Sequence, residues 1–266
     1  MPARATVVLP GGLLDAAGVL HRTAVLRALR GRDEEWLRDL PTDMTQARGV
    51  TEALARVLVS VGPYPATRDL VRELPLGDRD YLAMKVGQMG FGRRVEMVLV
   101  CEACGEKMDA DFELDAVPVA ERPQQAEYAL PLDDGGEVRF RLPRGADQEA
   151  AASAAALLDR CLVGASAGRT LSDAARDALD QEIERVSPQV QAVVDAACPE
   201  CGSAAAIRFD PAVMLFSQVY RRQRRFEHGV HLLSFHYHWP LREILALSTA
   251  RRERYLRLLE GELASA

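Results

Sequence analysis

What this 266-residue sequence lacks narrows it first. No apolar run approaches the ~20 residues of a membrane-spanning helix. The opening MPARATVVLPGG carries neither the basic nor the long apolar stretch of a secretory signal. The expectation is a chain that folds in the cytoplasm, where thiols stay reduced. An excess of positive charge is missing too. The 33 basic and 39 acidic side chains leave a formal charge of -6. That argues against bulk affinity for nucleic acid or an anionic membrane.

Catalytic signatures are equally scarce. Gly11-Gly12 lacks the Lys-Ser/Thr of a phosphate loop. No paired-carboxylate motif stands out. Gly164-Ala165-Ser166-Ala167-Gly168 spells G-x-S-x-G. A nucleophile elbow needs a strand before it, however, and a helical pattern precedes this one. The sequence reads as a protein that is not an enzyme. Apart from two cysteine turns, it shows no fixed-period repeat and no low-complexity linker.

Those turns carry the strong chemical signal. Cys101-Glu102-Ala103-Cys104-Gly105 and Cys198-Pro199-Glu200-Cys201-Gly202 are two C-x-x-C-G turns. The spacing lets both thiolates of a turn point to one side, and the glycine supplies the unusual backbone angle that follows. Tetrahedral zinc wants four ligands, so two turns close one structural site with no open position. The expected ligands of one Zn2+ are Cys101, Cys104, Cys198 and Cys201. A disulfide reading sits poorly with a cytoplasmic chain. A thioredoxin-like reading needs a helix N-terminus, and these turns lie between strands. A zinc ribbon usually separates its pairs by ~15–20 residues. Here 93 residues lie between Cys104 and Cys198, so the metal would tie together distant parts of the chain. The fifth thiol, Cys161, stands beside Leu157, Leu158 and Leu162 and reads as buried and inert.

Periodicity places these turns. Residues 6–9 read as a strand ended by Pro10-Gly11-Gly12. Residues 31–40 suggest a short helix. Val50, Leu54, Val57, Leu58 and Val61 recur at helical spacing, which predicts a helix over 49–61. Asp78 is the expected cap of a helix through Gln88. Alternation around the first cysteine turn predicts a hairpin over 94–114 with one acidic face. A second hairpin is expected over 126–142, turning at Asp133-Asp134-Gly135-Gly136. An Ala-rich helix should open at Asp147 and run to Val163, and Ser172 should cap another to Val186. Residues 189–210 repeat the strand–turn–strand design, and helices opening at Pro211, Pro240 and Ser248 follow.

The predicted fold is therefore α+β, with a zinc-ribbon-like antiparallel unit at 93–114 and 189–210. Residues 1–92 supply an N-terminal strand and helices, 115–188 a hairpin-plus-helices insertion, and 211–266 a helical end. Because the two ribbon halves must meet, these read as one interlocked domain.

Charge is uneven along that plan. Residues 211–266 hold nine arginines and five glutamates, a balance of +4, which leaves -10 on the other 210 residues. Arg221, Arg222, Arg224 and Arg225 form the densest basic cluster. They read either as a solvated helix end or as the docking point of an acidic partner. His228, His231, His236 and His238 also gather here. His236 and His238 would share one face of an extended segment, and His228 and His231 one helix face. Packing or interface use is the simpler reading, with a second metal site the alternative.

Four stretches together resemble the T4-type phage baseplate proteins, a family found also in contractile injection systems and phage tail-like particles. They are LPGGLLDAAGVLHRTAVLRALRGRDEE at 9–35, ELPLGDRDYLAMKVGQMGFGRRVEMVLVCEACGEKMDADFEL at 73–114, LPRGADQE at 142–149 with CPECG downstream, and FHYHWPLREILALSTARRERYLRLL at 235–259. The resemblance implies a non-enzymatic part in building the baseplate or hub of a contractile tail. Partners would be other baseplate, hub, tube or sheath subunits, with no nucleic acid and no membrane insertion. Relatives include both incorporated subunits and assembly chaperones, and this sequence does not separate them. A zinc-dependent enzyme using His236 and His238 is the remaining rival.

Overall fold

The computed structural model describes residues 4–101, 103–132, 136–190 and 193–265. It is a mixed α/β structure built on small antiparallel sheets. β1 (Arg4–Leu14) pairs with β2 (Leu20–Arg27), α1 (Gly31–Arg38) and α2 (Gln46–Val57) follow, and β3 (Leu58–Val61) and β4 (Tyr64–Pro65) complete a four-stranded sheet in the order β1-β2-β3-β4. Pro10-Gly11-Gly12 does not end the first strand. It forms a bulge at which the register shifts between Val8 and Leu13, and Gly12 takes φ 96°. Helix α2 opens at the Thr45 cap and stops at Val57. Leu58 and Val61, expected on the helix, pair as β3 between β2 and β4, because the β-branched Val59 and Val61 suit a pleated strand.

Next come α3 (Arg68–Glu73) and α4 (Leu76–Phe91). The cap of α4 is Pro75, not Asp78, and the helix extends past Gln88. β5 (Arg94–Val100) and β6 (Lys107–Glu113) form the expected hairpin, with Val95 opposite Phe112 and Val100 opposite Lys107. Its acidic face, Glu96, Asp109, Asp111 and Glu113, is exposed. β7 (Val119–Ala120) leads to the second hairpin, β8 (Tyr128–Pro131) with β9 (Glu137–Phe140). Its expected turn residues Asp133, Asp134 and Gly135 lie outside the described residues. The Ala-rich segment is two helices, α5 (Gly145–Ala150) and α6 (Ala154–Cys161), because Ser153 starts a new cap. Ser172 caps α7 (Asp173–Val186) as expected.

β10 (Gln189–Val190) pairs with β7, and β11 (Val193–Ala197) pairs with β12 (Ala204–Arg208). α8 (Pro211–Arg221), α9 (Gln223–Tyr237), α10 (Leu241–Ala246) and α11 (Thr249–Ala264) finish the described chain. No described helix is long and apolar enough to cross a membrane.

The main core sits where the β1–β4 sheet meets α2, α4 and α8, with Leu9, Leu26, Leu54, Leu82 and Leu215 buried. A smaller cluster joins Val95, Leu114, Phe209, Met84 and Met214 under the bases of the two cysteine hairpins. A third, around Phe140, Cys161, Leu179 and Ile183, holds the β8–β9 hairpin against α6 and α7. The two cysteine hairpins are separate two-stranded sheets, not one continuous ribbon sheet. At their bases Phe112 meets Phe209 edge to face, with ring centres 5.1 Å apart.

Candidate metal centre

Each cysteine turn is fixed by the same two backbone bonds. In the first, the Cys101 amide donates to the Glu106 carbonyl at 2.8 Å and Gly105 N donates to the Cys101 carbonyl at 2.8 Å. In the second, Cys198 N donates to Ser203 O and Gly202 N to Cys198 O, both at 2.9 Å. Gly105 and Gly202 take φ 78° and 70°, where a side chain would be strained. Two sequences 93 residues apart thus build the same knuckle.

The knuckles face each other at the hairpin tips. Sγ of Cys101 lies 3.7 Å from Sγ of Cys201, and Sγ of Cys104 lies 3.7 Å from Sγ of Cys198. All four sulfurs fall within 4.8 Å of one another. That is too far for any disulfide, whose sulfurs sit ~2 Å apart. It is the spacing of a tetrahedral thiolate site, since Zn–S bonds of ~2.3 Å put sulfurs ~3.8 Å apart. One cysteine of each turn is buried and one exposed, so the cluster forms at the surface edge of the tips. Hydrogen bonds from the Ser203 hydroxyl and backbone bring Cys201 down to about 6. The Glu106 backbone pulls Cys104 down as well, but the neighbouring sulfurs raise it to about 12. Four thiols crowded this closely cannot all ionise without a cation to share. The four thiols could therefore hold a soft metal ion.

The other thiol behaves as expected. Cys161 is fully buried, donates to the Leu157 carbonyl at 3.3 Å, and is raised to about 12 by burial. Ser166 of the G-x-S-x-G stretch is also buried, and its Oγ accepts the Arg139 amide at 2.9 Å. It braces β9 and does not stand on an elbow.

The histidines do not converge. His236 lies in the last turn of α9 and His238 is its left-handed cap, at φ 56°. They are not alternate residues of an extended segment as expected, because α9 runs on through Tyr237. Among the described residues no histidine joins a group of potential metal ligands. His231 stacks on Phe235, and Phe235 meets His236 edge to face.

The basic cluster lies at the α8–α9 junction. Arg221 donates to the Glu96 carbonyl at 3.1 Å and Arg222 to the Phe91 carbonyl at 3.4 Å. Arg225 is paired with Glu253 and Glu260. Among the described residues Arg224 alone of the four has no such tie.

The sequence reading missed a second constellation. Residues 27–33 and 141–147 share the pattern R-x-x-R-G-x-D, each at the end of a strand. Arg27 forks onto Asp33 at 2.6 and 2.9 Å, and Arg141 forks onto Asp147 at the same distances. Each aspartate also accepts the amide of the second arginine, Arg30 at 2.9 Å and Arg144 at 3.0 Å. Each turn then bridges to a kinked helix pair. Gly31 N donates to Leu247 O and Thr249 N to Leu29 O. In the other copy Gly145 N donates to Leu74 O and Leu76 N to Pro143 O. The partner elements match as well. α10 and α3 are six residues long, α11 and α4 sixteen, and the kinks fall at Leu247-Ser248 and Leu74-Pro75.

Each turn covers a buried arginine that its glycine makes room for. Arg252 lies under Gly31 and Arg79 under Gly145, both 1% exposed. Arg252 is paired directly with Glu34 at 2.9 Å. Arg79 donates to Thr51 Oγ1 and the Ala47 carbonyl, and burial lowers it to about 10. Glu149 reaches it only through Thr51. The copies are offset by 114 residues for the turn and 173 for the helix pair, which is why no single period exposed them.

Residues 44–169 match the family model described as "T4 bacteriophage base plate protein". The matched stretch holds the first cysteine knuckle and the turn at 141–147. Neither a curated protein nor a solved structure matches the chain.

Proposed function

We propose, from the match of residues 44–169 to the T4 bacteriophage base plate family model, that this chain is a structural subunit of the baseplate or hub of a contractile, phage tail-like injection particle. It associates there with other baseplate, hub, tube or sheath subunits and assembles in the cytoplasm. The observation that carries the reading is the family match. The fold supports it, since the chemistry-bearing residues brought together are structural ones: a four-thiol cluster and two arginine-aspartate turns.

In this reading Cys101, Cys104, Cys198 and Cys201 hold one zinc ion. Zinc bound by four thiolates has no open position and serves structure. The two hairpin tips would then be fixed as one zinc-ribbon-like unit, although 93 residues separate them in the chain. Metal loss should free the tips first, because the Phe112–Phe209 cluster still holds their bases. The turn at Arg221, Arg222, Arg224 and Arg225 offers Arg224 to an acidic neighbour.

Mass spectrometry of purified particles tests the role. Stoichiometric presence is expected. Absence from intact particles would make the chain an assembly chaperone instead. Metal analysis tests the site. One zinc per chain is expected, and Cys101→Ser should lose it. Two zincs per chain, with one lost on His236→Ala, would revive the zinc-enzyme reading.

A further inference from the structure

The two arginine turns differ in what lies on their outer face. The offsets of 114 and 173 residues equate Arg30 with Arg144, Ala246 with Glu73, Ala250 with Gly77, and Arg251 with Asp78. In the copy around α4, this strip is covered by the protein's own chain. A Cβ on Gly77 would stand 1.8 Å from the Pro188 carbonyl oxygen, so a backbone segment lies directly on it. Asp78 receives Gly11 N and Gly12 N, each at 2.7 Å. Arg144 is neutralised by Glu73 at 2.5 Å.

In the copy around α11 no described residue covers the strip. It is a groove of about 650 Å³, walled by Arg30 on one side and by Ala250, Arg251, Arg254, Tyr255 and Leu258 on the other. Both carboxylates of the covered strip have been replaced. Glu73 becomes Ala246 and Asp78 becomes Arg251. Gly77 becomes Ala250, whose methyl occupies space that a backbone fills in the other copy. Among the described residues Arg30, Arg251 and Arg254 have no ion pair, and Arg251 touches Tyr255, through its hydroxyl at 3.4 Å and over its ring at 5.8 Å. The groove is therefore cationic, with no acidic side chain on its walls.

We propose that this groove seats an extended acidic segment of another protein, with its carboxylates on Arg30, Arg251 and Arg254. The covered copy shows what the geometry accepts, polypeptide backbone (Pro188 and the Gly11-Gly12 bulge) laid across the helix start. The open copy shows which charges are missing and must come from outside. The apolar surface of Tyr255 and Leu258 would take the segment's alternate side chains. This inference rests on the internal comparison and not on the baseplate reading.

A fluorescein-labelled peptide of six Glu-Pro repeats, read by fluorescence anisotropy at low salt, tests it on the full chain. We expect saturable binding, absent for the matched Gln-Pro peptide. Arg251→Glu with Arg254→Glu should weaken it at least ~10-fold. Ala250→Trp, which fills the groove without changing charge, should weaken it as strongly. Arg221→Glu with Arg224→Glu should leave it unchanged. Three results would overturn the proposal. They are no binding, an equal loss in the Arg221/Arg224 variant, and tighter binding of a 12-nucleotide oligothymidylate at the same groove.

Discussion

The turns at 27–33 and 141–147 solve one local problem identically and then diverge. In both, an aspartate gathers an arginine fork and the amide of a second arginine, and a glycine lies flat on a buried guanidinium. The first buried guanidinium has its own carboxylate, Glu34. The second is satisfied by neutral oxygens, with Glu149 one hydrogen bond away. The difference teaches how a buried charge can be held in two ways. Arg252 has a counter-ion beside it, while Arg79 keeps its charge on neutral oxygens, with burial lowering it only to about 10.

The sharpest way to break this comparison is to remove the carboxylates. Glu34→Gln strands the Arg252 charge in a dry site and should cost about 3–5 kcal/mol in urea denaturation. Glu149→Gln should cost about 1 kcal/mol, because Thr51 and Ala47 still hold Arg79. Equal losses would mean the two arginines are held alike.

The glycines come next. A Cβ on Gly145 would fall 1.6 Å from Arg79 Nη1, whereas one on Gly31 would fall 3.0 Å from Arg252 Nη1. Gly145→Ala should therefore cost about 3 kcal/mol and Gly31→Ala about 1 kcal/mol, compared as thermal or urea unfolding of the two variants.

A pH test separates the copies by sign. Burial raises Asp78 to about 7, against the pull of the Gly11 and Gly12 amides. Its unfolded value is near ~4. Between those two values the folded chain binds more protons than the unfolded one, so stability falls as pH rises through that window. Asp80, raised to about 7 by burial and then by Asp210, adds in the same direction. Urea midpoints at pH 5 and 7.5 should draw closer in Asp78→Asn, with Asp80 keeping the rest of the separation. They should keep their native separation in Arg251→Ala, the matching position of the other copy. An unaltered slope in Asp78→Asn would defeat the assignment.

The smallest expected effect is a gain. Ala246→Glu gives Arg30 the partner that Arg144 finds in Glu73. It should stabilise the chain by about 0.2–1 kcal/mol, visible as a small rise in Tm.

The cysteine knuckles were fully legible in the sequence, because two residues between cysteines and a following glycine leave few geometries open. The caps at Ser172 and Ser248 and the start at Pro211 were legible for the same reason, since they are set by their own neighbours. The misreadings share another cause. Pro10-Gly11-Gly12 looks like a turn locally, but its amides answer to Asp78, 66 and 67 residues away. Asp78 looks like a cap, yet it serves those amides instead. Leu58–Val61 carries apolar residues that suit either state, and pairing with β2 decides it. The arginine turns are hard to read from sequence because each half is ordinary alone and one copy is nested inside the other. Turn, helix pair, turn and helix pair follow in the chain, with the outer two forming one copy and the inner two the other.

That nesting orders events in time. During synthesis the inner copy is complete once Gly145 and Asp147 have emerged, since Arg79 already waits for them. The outer copy cannot close until Arg252 appears, 218 residues after Glu34. Contacts of such sequence separation form late. Until then, Glu34 and Gly31 present an unfilled seat at the ribosome-distal end of the nascent chain. The last long helix thus acts as a clasp. A chain interrupted before residue 252 would keep that seat open and stand out to proteases, and only a chain translated that far can bring Arg252 onto Glu34.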